Sequence, residues 1–102
     1  MMPFRVRIVR QAVRQIEEAA AWWTANRPAV PRAIQEELRA AVELVARHPS
    51  IGARALGVRL PGVRRILLSR VRYHVYYRVR VEAETVEILA FWHASRGMTP
   101  NI

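Results

Sequence analysis

An α+β fold is predicted by three observations: one long stretch of two-residue alternation, two successive stretches of helical period, and a proline-marked break between those two. The alternation runs from residue 70 to residue 81, where Val71, Tyr73, Val75, Tyr77, Val79 and Val81 interleave with Arg70, Arg72, His74, Tyr76, Arg78 and Arg80. Only a β-strand sends alternate side chains to opposite faces. One face of this stretch therefore belongs on a core, and the other carries four arginines, a histidine and a tyrosine. Arginine is also the chain's general solubilising cation, since lysine and aspartate are both absent. That bias does not explain why all eight acidic residues, every one a glutamate, stand outside this stretch.

The predicted order is β-α-α-β-β-β: a short N-terminal strand, an antiparallel helical hairpin and a three-stranded antiparallel sheet, in one domain spanning residues 1–102. Phe4, Val6 and Ile8 alternate with Arg5 and Arg7 as a short strand with one wet face. From Gln11 the period changes, and Ala12, Ile16, Ala19, Ala20 and Trp23 form a helical stripe that ends before Asn26-Arg27-Pro28. Proline disfavours helix in the residue before it but suits a first helical turn, so a second helix should begin near Pro31. Its stripe is Ile34, Leu38, Ala41, Val42 and Val45, and it stops at His48-Pro49. The short link between the helices makes them antiparallel neighbours. Residues 48–57, with Gly52 and Gly57, read as a loop, Pro61-Gly62 as a turn, and Val63 to Leu68 as a strand. Thr85 to His93 closes the sheet. Its run Ile88-Leu89-Ala90-Phe91-Trp92 is apolar on both sides, as an interior strand should be.

A chain of 102 residues with 52% hydrophobic content can bury an ordinary core without staples. Its net charge of +9 favours an anionic partner: nucleic acid, an acidic protein or a membrane surface. No cysteine is present, which excludes disulfides and thiolate chemistry. The arginine-rich start lacks a secretory h-region, and no stretch approaches the roughly 18 apolar residues of a membrane span. A cytoplasmic location away from membranes is expected.

Candidates for chemistry are few. His48, His74 and His93 have neither the spacing nor the acidic neighbours of a metal site, so no metal and no cofactor is expected. Ser50, Ser69 and Ser95 sit in no nucleophile-elbow sequence. What remains is the arginine cluster with His74, His93 and Tyr76. Such a set could stabilise a phosphorane-like transition state and move a proton, as a metal-free ribonuclease requires, or it could serve as a docking surface.

The order of elements, with Pro49 and Gly52 after the second helix, Gly62-Val63-Arg64 before the next strand, Tyr73-His74-Val75-Tyr76-Tyr77-Arg78-Val79 within the long one and Phe91-Trp92-His93-Ala94-Ser95-Arg96 at the end, resembles the RelE/ParE superfamily of type II toxin-antitoxin toxins. The resemblance covers nearly the whole chain. It implies a helical hairpin on an antiparallel sheet, and an acidic antitoxin that wraps the toxin as a hetero-oligomer. It also implies one of two activities: cleavage of messenger RNA on the ribosome by RelE-like members, or poisoning of DNA gyrase by ParE-like members. RelE-like nucleases typically carry an arginine where this chain has His74, and a tyrosine where it has Gly97-Met98-Thr99-Pro100. His93-Ala94-Ser95-Arg96 is similar to the ParE-like ending, so the resemblance points to the gyrase branch. It implies a functional role for Arg96; the segregation of Arg70, Arg72, Arg78 and Arg80 onto one strand face, and Arg64 beside the glycine turn, supply further candidate target contacts. In the nuclease alternative His74, Arg96 and His93 would be catalytic. A third reading is a nucleic-acid-binding module with neither activity.

Each choice has a structural counterpart. Arg64 could pair with Glu82, Glu84 or another carboxylate instead of a target, and His93 beside Trp92 suits a hydrogen-bonded structural role. Trp22 and Trp23 point about 100° apart on a helix, so one should lie at the rim. With Leu38 and Val42 they are the candidate antitoxin contacts, because aromatic side chains are favoured interface anchors.

Overall fold

The strands of a computed structural model, which describes residues 2–102, form one mixed sheet backed by two helices. In chain order the elements are β1 (Arg5–Ile8), α1 (Arg10–Asn26), α2 (Ala33–Arg47), β2 (Ala53–Arg54), β3 (Arg64–Leu68), β4 (Tyr73–Arg80) and β5 (Thr85–His93). The sheet order is β1-β5-β4-β3-β2. Strand β1 runs parallel to β5, and the other pairs are antiparallel. The predicted α+β class holds, and β5 is the interior strand its apolar run implied.

The sheet has five strands where the sequence reading assembled three and left the N-terminal strand apart. The first correction is that β1 joins the sheet, pairing Arg5 with Thr85 through Ile8 with Ile88. The second is β2, within the stretch read as a loop, which pairs Ala53 with Arg65 and Arg54 with Arg64. Two residues are too few to show a period, so no hydrophobic pattern could announce it.

The long alternating strand is also shorter than its pattern. Residues 70–72 belong to the turn out of β3, where Arg72 takes φ +66°. Val81 lies past the strand and is 69% exposed. Within β4 the alternation is real: Tyr73, Val75, Tyr77 and Val79 pack with the helices, in a core that includes Ala12, Ala19, Ile34, Ala41, Val45, Ile88 and Phe91. Burying a side chain of this size contributes about 1.5–3 kcal/mol.

The opposite face is not uniformly cationic. Tyr76 is fully buried there in a second cluster with Val63, Leu89 and Ala90, covered by Val58, Leu60, Trp92 and Ile102. A bulge makes this possible. Tyr76 pairs with Ala90 and Tyr77 with Ile88, so Leu89 is an extra residue on β5, and both Leu89 and Ala90 join the second cluster. On the helix side, the Tyr77 hydroxyl donates to the Pro49 carbonyl and accepts from the Gly52 N–H, both at 2.8 Å. A Cβ at Gly52 would sit 2.7 Å from that oxygen. Only glycine lets the loop close on the tyrosine.

Candidate functional site

Register brings the far-face side chains of three strands together. Arg65 on β3 lies opposite Tyr76 on β4, and His74 on β4 lies opposite Trp92 on β5. Beyond β5 the chain turns, with the Arg96 N–H on the His93 carbonyl at 3.2 Å, and the Arg96 guanidinium comes back over the Trp92 ring, 3.9 Å from its centroid. The result is a hollow of about 150 Å³ lined by Arg65, His74, Tyr76, Trp92 and Arg96 together with residues 93–94 and 97–99.

The electrostatics of the hollow are one-sided. No carboxylate is among its lining residues. Arg65 donates to the Tyr76 hydroxyl at 3.1 Å and lies 6.0 Å from the centre of that ring. Arg96 rests on Trp92. Both guanidiniums are thus held by aromatic groups, which orient a cation without neutralising it. Burial, reinforced by Arg65 and Arg72, pushes the His74 pKa below its ordinary value. At neutral pH its imidazole is uncharged, able to accept a proton and poorly suited to donate one. Tyr73 stacks on Phe91 on the other side of the sheet, and burial raises its pKa while the Arg96 charge opposes that rise.

Of the predicted contacts, Arg96 and His74 meet in the hollow, and Arg72 stands close enough for its charge to act on His74. His93 lies at the rim, its ring edge-on to Tyr73 with centroids 4.9 Å apart. The other arginines go elsewhere, so the single cationic face of the sequence reading is corrected. Arg64 points to the helix side and donates to the Gly52 carbonyl at 2.7 Å; it bonds neither Glu82 nor Glu84. Arg70 approaches Glu36 and Glu37 of α2 at 3.6 and 3.8 Å. Arg78 and Arg80 reach Glu87 at 2.7 and 3.7 Å, where Arg7 joins from β1 at 2.7 Å.

Arg65 and Trp92 were missed as site residues. Arg64 and Arg65 are adjacent, and choosing between them requires the strand register, which a one-residue shift reverses. Among the candidate antitoxin contacts, Trp22 is half exposed, while Trp23, Leu38 and Val42 are partly buried against the core. The Trp23 indole donates to the Val30 carbonyl at 2.9 Å, which tucks it under the helix link. Among the described residues no three His, Cys, Asp or Glu side chains gather as metal ligands, and no helix is long and apolar enough to cross a membrane.

Solved structures share this fold. The chain is similar to a structure of the chromosomal ParDE toxin-antitoxin system of P. aeruginosa, with TM-score 0.74 and 18% identity over 90% of this chain and 97% of that one. The isolated E. coli RelE toxin gives TM-score 0.64 and 20% identity over 92% and 87%. The RelBE2 toxin-antitoxin complex of Mycobacterium tuberculosis gives 0.59 and 26% over 89% and 98%. At 18% and 20% identity the first two likenesses are of fold alone. None of the curated proteins matches the chain in sequence. Residues 6–98, however, match the family described as the ParE toxin of the type II toxin-antitoxin system, parDE. With that match running from β1 through the turn that carries Arg96, the chain belongs to the ParE toxin family of type II toxin-antitoxin systems.

Proposed function

We propose that this toxin inhibits DNA gyrase, that the hollow between Arg65, His74, Trp92 and Arg96 is its contact with the target, and that an acidic antitoxin neutralises it. The observation that carries the reading is the pair of guanidiniums, Arg65 and Arg96, fixed on aromatic rings and left without a carboxylate among the lining residues. Such a site binds an anionic group, a carboxylate of a protein or a phosphate of protein-bound DNA, without having to organise itself first. Each charge-assisted hydrogen bond there is worth about 1.5–3 kcal/mol, or roughly one to two orders of magnitude in affinity.

The hollow supports binding better than hydrolysis. Cutting RNA without a metal requires a base for the 2′-hydroxyl and an acid for the leaving oxygen. His74 suits the first role only, and the Tyr76 hydroxyl is buried and held by Arg65. The nuclease reading retains one favourable observation: an uncharged histidine flanked by two guanidiniums, the arrangement in which a base and anion stabilisers would stand.

The antitoxin reading is supported by the +9 charge, by exposed Trp22 beside partly buried Trp23, Leu38 and Val42, and by the complexes among the similar structures. Charge should raise the association rate while apolar anchors limit release, so added salt should slow binding more than it speeds dissociation.

The test is induction of the protein without an antitoxin, followed by two assays on purified protein. Growth arrest, broken DNA and inhibition of gyrase supercoiling, with ribosome-bound message left intact, are expected. Cleavage of ribosome-bound message that is abolished by His74→Ala would establish the nuclease reading instead. Harmless expression in a host with susceptible gyrase would overturn both.

A further inference from the structure

Arg96 lies on an exposed turn followed by Gly97, whose Cβ position meets nothing within 4 Å. The Arg96 N–H on the His93 carbonyl, at 3.2 Å, closes the turn but does not by itself orient the guanidinium. Three attachments do so around it: the Ala94 N–H donates to the Arg72 carbonyl at 2.8 Å, the Trp92 indole donates to the Met98 carbonyl at 2.8 Å, and Ser95 bonds the His93 ring. The third is the side-chain contact made by the residue before Arg96.

Its geometry fixes the state of the histidine. The backbone N–H of Ser95 lies 3.1 Å from His93 Nδ1 and can only donate, so Nδ1 carries no proton and the neutral ring is protonated at Nε2. Ser95 Oγ, 2.7 Å from the same nitrogen, then donates to it as well. The ring itself rests edge-on against Tyr73, which stacks on Phe91 with centroids 4.6 Å apart. Buried aromatic packing thereby reaches Ser95, and through it the next residue.

We infer that His93 is a positioning residue that holds Arg96 over Trp92 through its Nδ1 atom, with Ser95 as the link. The inference rests on the reading above that Arg96 carries the activity. Nδ1 shares its one lone pair between the Ser95 N–H and the Ser95 hydroxyl, which occupies this edge of the ring as a bracket.

Two substitutions separate the bracket from direct action. His93→Asn places its Oδ1 on the same Cγ that bears Nδ1, and so keeps the acceptor. His93→Gln moves the amide one carbon farther, toward the position of Nε2. The direct readout is the NMR shift of the Arg96 side chain, which the Trp92 ring current displaces. Wild type should show that displacement and growth arrest, and His93→Asn, which keeps the acceptor but loses the ring's edge contact with Tyr73, should retain most of both. His93→Gln should lose the displacement and weaken toxicity by about tenfold, the ordering supplied by one or two hydrogen bonds. Ser95→Ala, at an exposed side chain that cannot unfold the protein, should reduce both effects partially. A displaced Arg96 signal that persists in His93→Gln or is unchanged in Ser95→Ala overturns the inference, as does full toxicity in His93→Gln. So does loss of toxicity in His93→Asn with the Arg96 signal intact, since the ring would then act by itself. If wild type is harmless while the Arg96 signal follows the expected series, the proposed function fails and the bracket stands.

Discussion

At one end of the far face of β4, Arg78 and Arg80 lie 2.7 and 3.7 Å from the carboxylate of Glu87, and Arg7 joins them from β1 at 2.7 Å. At the other end Arg65, His74 and Arg96 gather around a hollow with no acidic lining residue. The two ends begin from the same strand pattern, a cation at every second or fourth position. Their fates differ because β5 places a glutamate opposite Arg78 and a tryptophan opposite His74. At the first end a single carboxylate ties arginines of β1 and β4 to β5, and orients all three. At the second the guanidiniums rest on aromatic rings and remain available. A cationic strand face is therefore not one surface, and the neighbouring strand decides which part of it can meet a partner.

The largest effect expected from breaking this contrast is in stability, at the Glu87 end. The Glu87 side chain is 10% exposed, and the hydrogen bond from Arg78 holds its pKa below the ordinary value despite desolvation. Glu87→Ala leaves Arg78 without its partner and should cost about 2 kcal/mol in urea unfolding, the worth of a charge-assisted hydrogen bond to an arginine that keeps some water. The pH dependence has a fixed sign. A depressed folded pKa contributes stability that is complete above the unfolded value near 4.5 and disappears as pH falls through the folded one. Wild type should thus lose stability on acidification below that value, and Glu87→Ala should lose less. An equal loss would show that Glu87 does not carry the acid sensitivity.

A medium effect separates the neighbours Arg64 and Arg65. Arg64→Ala removes the bond to the Gly52 carbonyl and should cost about 1 kcal/mol while leaving toxicity unchanged. Arg65→Ala should weaken target inhibition about tenfold or more, and by leaving the buried Tyr76 hydroxyl without its donor it should also cost about 1 kcal/mol. Equal behaviour of the pair in both assays would mean that register does not divide their roles.

The smallest effect is on a titration. The His74 midpoint, followed by NMR, should lie below 6.5, and Arg65→Ala should raise it only part of the way, because desolvation is the larger cause. A full return to the ordinary value would make Arg65 the dominant influence.

Periodicity alone made much of this visible in the sequence. The alternation of β4, the two helical stripes and the interior character of β5 follow from where apolar residues recur, and the fold class with them. What stayed hidden depends on pairing between strands. Nothing near Arg78 in the chain announces Glu87, nine residues on, and the side that Arg65 faces cannot be read without the register to Tyr76. The bulge at Leu89 is likewise invisible, because an apolar run looks the same with an extra residue in it. Arg96 was legible through its motif. Its seat on Trp92 was not, since a turn, one long-range hydrogen bond to Arg72 and two short-range ones create it.

The central claim is that activity resides at the end of the sheet where charge is unopposed. It is tested most directly by comparing two substitutions that remove the same charge, Arg96→Gln and Arg80→Gln, in a gyrase supercoiling assay at equal concentration of folded protein. Arg96→Gln should abolish inhibition, and Arg80→Gln, taken from the Glu87 cluster, should inhibit as wild type does. Equal loss from both would mean that total charge is what acts, and loss from Arg80→Gln alone would place the active surface at the opposite end of the strand.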